Sequence, residues 1–482
     1  MKKNFIYSLF YQFLTLLLPF ATAPYIARTL GADLLGIYSK THAVANYFYL
    51  FTILGVNSYG NRSIARVRDD QKLRSQTFWE IYSFQFITSG TTFLLYAVFC
   101  LLLEHENCLI YILQGVYVLS GLFEITWICN GMEEFRLTTI RSTVIKLLNL
   151  AAVFLFVHDK SDLGIYTAIL SSCSIFSALT VWPFVMKHVD FVRPTWAGIK
   201  KHIKPNLVLF WPVIAVSLYN IMDKLLLGYF STNEEVAFYT NAERIVTIPT
   251  TLILALDHVV MPRMSNIFMK NETERAQKIM NCVMLLAMFM SAAMMFGVAG
   301  ISNVFAPWFY GDDFTRCGYY ILLLCPTILI KGWASALRTQ FLIPTGRDRI
   351  FIISLTSGAV VNLILDLLLI PALDGVGAIA GTIAAEFTVA FLQFLMCRKD
   401  IPIKEYLKNG VAFVLIGFLM FLCVEKVEKL GFSALPTLGL QVALGVVIYC
   451  VLGCFYMVRI AKQPVLINEG LKTLRIKYRF DE

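Results

Sequence analysis

Apolar residues in this chain gather into long unbroken runs separated by short polar stretches, with no sustained two-residue alternation. The runs are about 18–25 residues long, enough to cross a hydrocarbon layer about 30 Å thick at 1.5 Å per residue. They predict about fourteen membrane-spanning helices, at 5–27, 37–59, 78–103, 108–129, 137–158, 162–186, 206–230, 241–262, 276–301, 317–340, 350–370, 375–397, 407–425 and 435–458. The first run, Phe5 to Ala27, follows only Lys2 and Lys3 and lacks a small-residue cleavage site, so it reads as a retained helix rather than a signal peptide. Proline interrupts several runs, at Pro19, Pro24, Pro212, Pro249 and Pro326, and each removes a backbone hydrogen bond and invites a kink. The loops are too short to house a soluble catalytic domain, which places any chemistry inside the membrane or at its faces.

Composition agrees: 58% of the 482 residues are hydrophobic and 15% charged, an excess that a water-soluble core cannot absorb. The net charge of +9 might point to nucleic acid were it not segregated by side. Arg62, Arg66, Arg68, Lys72 and Arg74 share one loop region, Lys187, Arg193, Lys200, Lys201 and Lys204 a second, and Arg398, Lys399, Lys404 and Lys408 a third. Intervening loops carry Glu104 and Glu106, Asp159 and Asp162, Glu234 and Glu235, and Asp312 and Asp313. Basic loops after every second helix are the positive-inside pattern of a multi-pass protein of the cytoplasmic membrane. Both termini are then cytoplasmic, the tail carrying Arg459, Lys462, Lys472, Arg475, Lys477 and Arg479. The eleven cysteines are scattered without a CxxC pair or histidines at metal-ligand spacing, so no metal or other cofactor is expected.

The chain also repeats itself. Tyr38 and Arg62 correspond to Tyr239 and Arg263 at a step of 201; Trp127, Phe135 and Arg141 correspond to Trp333, Phe341 and Arg347 at 206; Asn149 and Gly164 correspond to Asn362 and Gly377 at 213. A step that only grows is what a duplicated six-helix unit with loop insertions leaves behind. The expected organisation is an N-lobe over 1–190, a C-lobe over 191–400, and two further helices with a basic tail over 401–482. Two lobes of like orientation suit alternating access, a design for transport rather than catalysis.

Charged side chains inside the membrane are costly, about 2.5–3.5 kcal/mol at mid-helix on insertion scales, so those retained usually face a cavity or a partner. The cations are Arg28, Lys224, Arg244 and Lys331; the acids are Glu124, Asp223, Asp257, Asp366 and Glu386. Arg28, Lys224 and Arg244 sit near helix ends, where they can line a cavity or snorkel to the interface, with Asp223 and Glu243 available as counter-ions. Lys331 lies deeper, with no acid one turn away, and reads as cavity-lining. Asp257, beside His258, has the placement for coupling a proton or sodium ion, or for bonding a neighbouring helix. Glu386 follows Gly377, Gly381 and Ala385, whose small side chains permit close helix approach, so it suits a structural link as well as ion coupling. The glycine-rich run from Gly375 to Gly381 opens an apolar helix and does not fit a nucleotide loop.

Several stretches carry a family resemblance. Pro24-Tyr25-Ile26-Ala27-Arg28-Thr29-Leu30-Gly31, then Gly36-Ile37-Tyr38, resembles the opening signature of the polysaccharide (O-antigen and capsule) flippase family. Gly55 through Arg62, Phe78-Trp79-Glu80-Ile81, the aromatic stretch from Phe123 to Phe135, Pro262-Arg263, Gln340 to Pro344, and Asn362 through Pro371 to Glu386 are similar to that family too. Glu124 stands where an Asp is common, and Cys129-Asn130 where Phe-Gln is. The resemblance implies an all-α, V-shaped alternating-access exporter of the multidrug/oligosaccharidyl-lipid/polysaccharide superfamily. It implies as cargo a polyprenyl pyrophosphate bearing an oligosaccharide repeat unit, carried from the inner to the outer leaflet. By motif correspondence Arg28 is the leading substrate contact, followed by Arg62, Arg263, Lys331 and Lys224, with Asp257, Asp223 and Glu386 as ion-coupling candidates. A polysaccharide polymerase and glycosyltransferases would be neighbours in the pathway. The alternatives are a multidrug antiporter of the same fold, which should prefer buried acids over Arg and Lys, and a membrane glycan polymerase or transferase.

Overall fold

A computed structural model describes residues 2–102, 107–270 and 272–461. Glu104, Glu106 and the tail cations Lys462, Lys472, Arg475, Lys477 and Arg479 lie outside the described residues, as do the side chains of Pro19, Pro212 and His258. All regular structure among the described residues is helical. Among the described residues, ten helices combine the length and apolarity needed to cross a membrane. The expected spans at 5–27, 37–59, 206–230 and 241–262 also lie in helices but are not among these ten, so the count of fourteen is not reached on that criterion. Large apolar side chains face outward on these helices, among them Leu94, Leu101, Val446 and Phe455. That surface suits lipid rather than water.

The chain divides into two compact units, Met1–Ala237 and Phe238–Glu482. The first holds α1 (Lys2–Ile53), α2 (Val56–Val67), α3 (Gln71–Leu102), α4 (Cys108–Phe123), α5 (Thr126–Gly131), α6 (Phe135–Phe156), α7 (Leu163–Leu179), α8 (Trp182–His188), α9 (Trp196–Asn220), α10 (Met222–Phe230) and the start of α11 (Asn233–Met269). The two spans expected at 5–27 and 37–59 meet within α1, where two helical stretches join across a kink at Gly31 with φ 81° and ψ 176°, and the second ends at Ile53. That backbone region is open almost only to glycine, and a side chain there costs about 1–3 kcal/mol. The expected fourth span likewise breaks, at Glu124 and Ile125, between α4 and α5. Gln85 explains how the break is tolerated: its amide donates to the carbonyls of Gly121 (2.9 Å) and Glu124 (2.6 Å), and its oxygen accepts from Trp127 Nε1 (3.1 Å). Carbonyls released by the broken helix are thereby satisfied by a buried side chain.

At one end of this unit α3 is tied to α9. Glu80, with a side chain 2% exposed, meets Lys201 Nζ at 2.6 Å and His202 Nε2 at 3.1 Å, and accepts from Gln76 Nε2 at 2.9 Å. Tyr59 of α2 bonds the other ring nitrogen of His202 at 2.7 Å. Around this network pack Val56, Ile64, Phe78, Ile81 and Trp127.

The second unit continues α11 and adds α12 (Thr273–Tyr310), α13 (Thr315–Leu324), α14 (Pro326–Leu337), α15 (Asp348–Leu373), α16 (Gly375–Met396), α17 (Ile403–Glu425) and α18 (Ala434–Arg459). Pro326 does not kink a continuous helix; it stands at the first position of α14, where its missing N–H costs nothing. Beyond α14 the chain widens into a π-helical turn, Arg338–Leu342. The core is methionine-rich: Met280, Met284 and Met288 of α12 meet Phe413 and Met420 of α17 and Tyr449 of α18. The two last helices, which lie outside the sequence repeat, are therefore packed on α12 as part of this unit.

Candidate substrate-binding site

The expected cations fall into two kinds. Arg28, Arg62 and Arg263 are exposed. Arg28 sits one turn before the Gly31 break, between the buried Ile26, Ala27 and Leu30. Its helix is pinned there by Tyr25, whose hydroxyl donates to the Val157 carbonyl at 2.5 Å and whose ring lies 4.6 Å from Phe154. Much of the Pro24–Gly31 signature is thus scaffolding that presents one guanidinium. Arg62 is on α2, and Arg263 follows Pro262 on α11. Lys224 is half-buried beside the buried Asp223 on α10.

Lys331 is of the other kind. Its Nζ approaches Glu386 Oε1 at 2.9 Å, an ion pair by distance that misses hydrogen-bond alignment, and it joins α14 to α16. Glu386 is almost fully buried, while Lys331 keeps 31% of its side chain exposed. The acid absent one turn away in sequence is supplied by another helix. Removing the lysine strands a carboxylate in a dry interface. Lys331→Ala should cost about 1–3 kcal/mol, at the lower end for a buried pair because the ammonium is partly solvated. Adding Glu386→Gln to it should restore most of that loss in thermal unfolding of the purified protein; a double variant less stable than the single would contradict the pairing.

Asp257 is buried on α11, and its carbonyl accepts from Gln340 Nε2 at 3.0 Å. Arg338, in the same π-helical turn as Gln340, is within electrostatic reach of Asp257 and lies 5.4 Å over the Phe351 ring. Arg338 is not among the sequence candidates, although its position at the end of an otherwise apolar run marks it. A polar seam runs between α15 and α16, where Gly381 leaves room for Asp366; a Cβ there would collide with that carboxylate and come within 3.3 Å of the Asn362 amide. Thr382 bonds Tyr239 at 2.9 Å.

Beside α14, α16 and α17 the second unit also holds a groove of 1110 Å³. Leu329, Trp333, Phe387, Phe391 and Phe394 form its wall, and Arg398, Lys399 and Lys404 stand at the turn between α16 and α17, with Glu405 as one opposing charge. A groove lined by apolar and aromatic side chains together with three cations has the chemistry to take a lipid with an anionic head group. At the same turn, Arg347 donates to Asp400 at 2.6 Å, which holds the aspartate below the usual carboxylate range.

Comparison with known proteins follows the same lines. Residues 1–268 match the family described as polysaccharide biosynthesis proteins. A protein of Escherichia coli K12 whose name assigns it to O-antigen transport is 22% identical over 407 residues, covering 83% of this chain and 97% of its own. One of the same name from Shigella dysenteriae is 23% identical over 414 residues, covering 83% and 99%. Among solved structures, the lipid II flippase MurJ in an inward closed conformation superposes with a TM-score of 0.74 at 16% identity, covering 95% of this chain and 99% of that one. An inward-facing multidrug transporter of the MATE family gives 0.61 at 13% identity, covering 80% and 94%. The helices therefore adopt the MurJ- and MATE-like transporter fold, and the chain, matched over more than half its length, belongs to the polysaccharide biosynthesis protein family.

Proposed function

We propose that this protein is a flippase that moves polyprenyl-pyrophosphate-linked oligosaccharide repeat units from the inner to the outer leaflet of the cytoplasmic membrane, for surface polysaccharide synthesis. The observation that carries this reading is the groove of the second unit, whose lining combines apolar and aromatic side chains with Arg398, Lys399 and Lys404. A prenyl chain fits the groove, and a pyrophosphate fits Arg398, Lys399 and Lys404. Family membership supplies the glycan. Sugars and pyrophosphate cannot cross hydrocarbon unaided, since their hydroxyls and charges would lose water without replacement.

In this reading Arg28, Arg62 and Arg263, all exposed, offer planar forks to phosphate oxygens and sugar hydroxyls along the path. Lys331 and Lys224 are the remaining cations, each beside an acid in space or in sequence. Asp257, Asp223 and Glu386 are the groups through which an ion gradient would drive the cycle. The lobes run over 1–190 and 191–400, with 401–482 adding the two last helices, and both termini are cytoplasmic by the distribution of Lys and Arg. The cargo would come from membrane glycosyltransferases and pass to a polysaccharide polymerase. Reconstitution into vesicles with a fluorescent polyprenyl-pyrophosphoryl oligosaccharide tests this; expulsion of a cationic dye without lipid exchange would mark a multidrug pump instead.

A further inference from the structure

Within the first unit alone, α1, α4, α6 and α7 line an open cavity of 420 Å³, in the range of small-ligand pockets at about 300–1,000 Å³. Two of its lining groups are buried and unsatisfied. The Gln114 residue is 1% exposed and Ser171 2%, yet the Gln114 amide nitrogen and the Ser171 hydroxyl make no hydrogen bond to protein. Buried polar groups without partners are rare in a folded chain and call for an explanation. The Gln114 oxygen is held 3.3 Å from His42 Nδ1, which leaves the amide N–H groups for something else.

The walls are aromatic faces. His42 stacks on Tyr38 with centroids 5.5 Å apart and an interplanar angle of 8°. Tyr49 stacks on Tyr117 at 4.6 Å and 20°, and Tyr117 is anchored by donating to Asn46 Oδ1 at 3.0 Å. Charge also constrains the occupant. Glu124 and Lys146 both line the cavity, one of each sign, so it favours neither a pyrophosphate nor an organic cation. Rigid aromatic faces, unsatisfied amide and hydroxyl groups and balanced charge together describe a neutral molecule with an apolar face and a rim of hydroxyls.

We infer that this cavity is a subsite for a sugar ring of the cargo, the C–H face of the pyranose lying on the aromatic wall and its hydroxyls bonding Gln114 and Ser171. The inference rests on the flippase reading and deepens it: the groove of the second unit takes lipid and phosphate, whereas this cavity reads the glycan. It has room for one or two rings, not a whole repeat unit, so selection acts on part of the cargo.

The test uses the full-length protein in vesicles with two probes, a fluorescent polyprenyl-pyrophosphoryl disaccharide and the same polyprenyl pyrophosphate without sugar. The variant Ser171→Ala removes one unsatisfied hydroxyl and leaves the contact of Gln114 with His42 intact, and the double variant with Gln114→Met removes both unsatisfied groups at the expense of that contact. The wild type should flip the disaccharide lipid about tenfold faster than the bare lipid, as two new hydrogen bonds allow. In the double variant that ratio should fall close to one, and Ser171→Ala alone should lower it part way with the unfolding temperature unchanged. An unchanged ratio in the variant, or no preference in the wild type, would overturn the subsite and leave the flippase standing. If the wild type flips neither lipid, the flippase reading itself is wrong and the subsite goes with it.

Discussion

Arg28→Ala should leave a folded, membrane-inserted protein whose rate of lipid-linked oligosaccharide flipping falls by about ten- to a hundredfold, the scale of losing charge-assisted hydrogen bonds to phosphate. The reason is the contrast between the residue and its neighbours. Ile26, Ala27 and Leu30 are buried, Tyr25 is bonded to the Val157 carbonyl, and Gly31 alone can adopt the backbone that ends this stretch. Arg28 itself is exposed, and the buried contacts of this stretch are made by its neighbours. A lysine there keeps the charge but loses the planar fork, and Arg28→Lys should retain only part of the rate. Protease protection and detergent melting check folding; vesicle assays check transport. Wild-type flipping by the alanine variant would remove Arg28 from the substrate path.

The largest structural effect is expected at Glu80. Its carboxylate is buried, yet it engages Lys201, His202 and Gln76, and His202 is held in turn by Tyr59. Glu80→Ala strips three partners at once, leaves a buried histidine without its acid, and unties α3 from α9. The cost should be about 3 kcal/mol, below the top of the range for buried pairs because Lys201 is 54% exposed and can turn to water. The exposed pair of Arg68 with Glu133, 2.7 Å apart, is the control: Arg68→Ala should change stability by less than about 1 kcal/mol. Unfolding curves of the two purified variants, compared with wild type, decide the matter. Equal stability of the two would mean the Glu80 network contributes no more than a surface contact. Glu80 lies in the stretch Phe78–Ile81 that resembles the polysaccharide flippases, so part of that motif is explained by architecture.

Run length made the helical membrane architecture legible, because the thickness of the hydrocarbon imposes it directly on sequence. The interruption inside the fourth span was not legible. The break at Glu124 and Ile125 depends on Gln85 from another helix receiving the freed carbonyls, and no local pattern announces such a partner. The break at Gly31, by contrast, falls where the apolar runs already separate two spans. The same limit applies to the polar residues. Lys331 looked solitary along the chain because Glu386 reaches it from α16, and tertiary proximity alone creates that pair. Arg28, Arg62 and Arg263 could be named from motif and repeat, whereas Gln114 and Ser171 could not, being neutral residues scattered through apolar helices where nothing local marks a lack of partners. Charge is visible in a sequence; an unsatisfied amide is visible only once its surroundings are known.

The central claim concerns cargo, and a single measurement addresses it most directly. Vesicles containing the purified protein, loaded symmetrically with a fluorescent polyprenyl-pyrophosphoryl oligosaccharide, are exposed to a membrane-impermeant quencher. A flippase predicts that quenching proceeds beyond the outer-leaflet half to near completion within minutes, only in vesicles that carry protein. Quenching that stops at half in both protein-containing and empty vesicles would contradict the account.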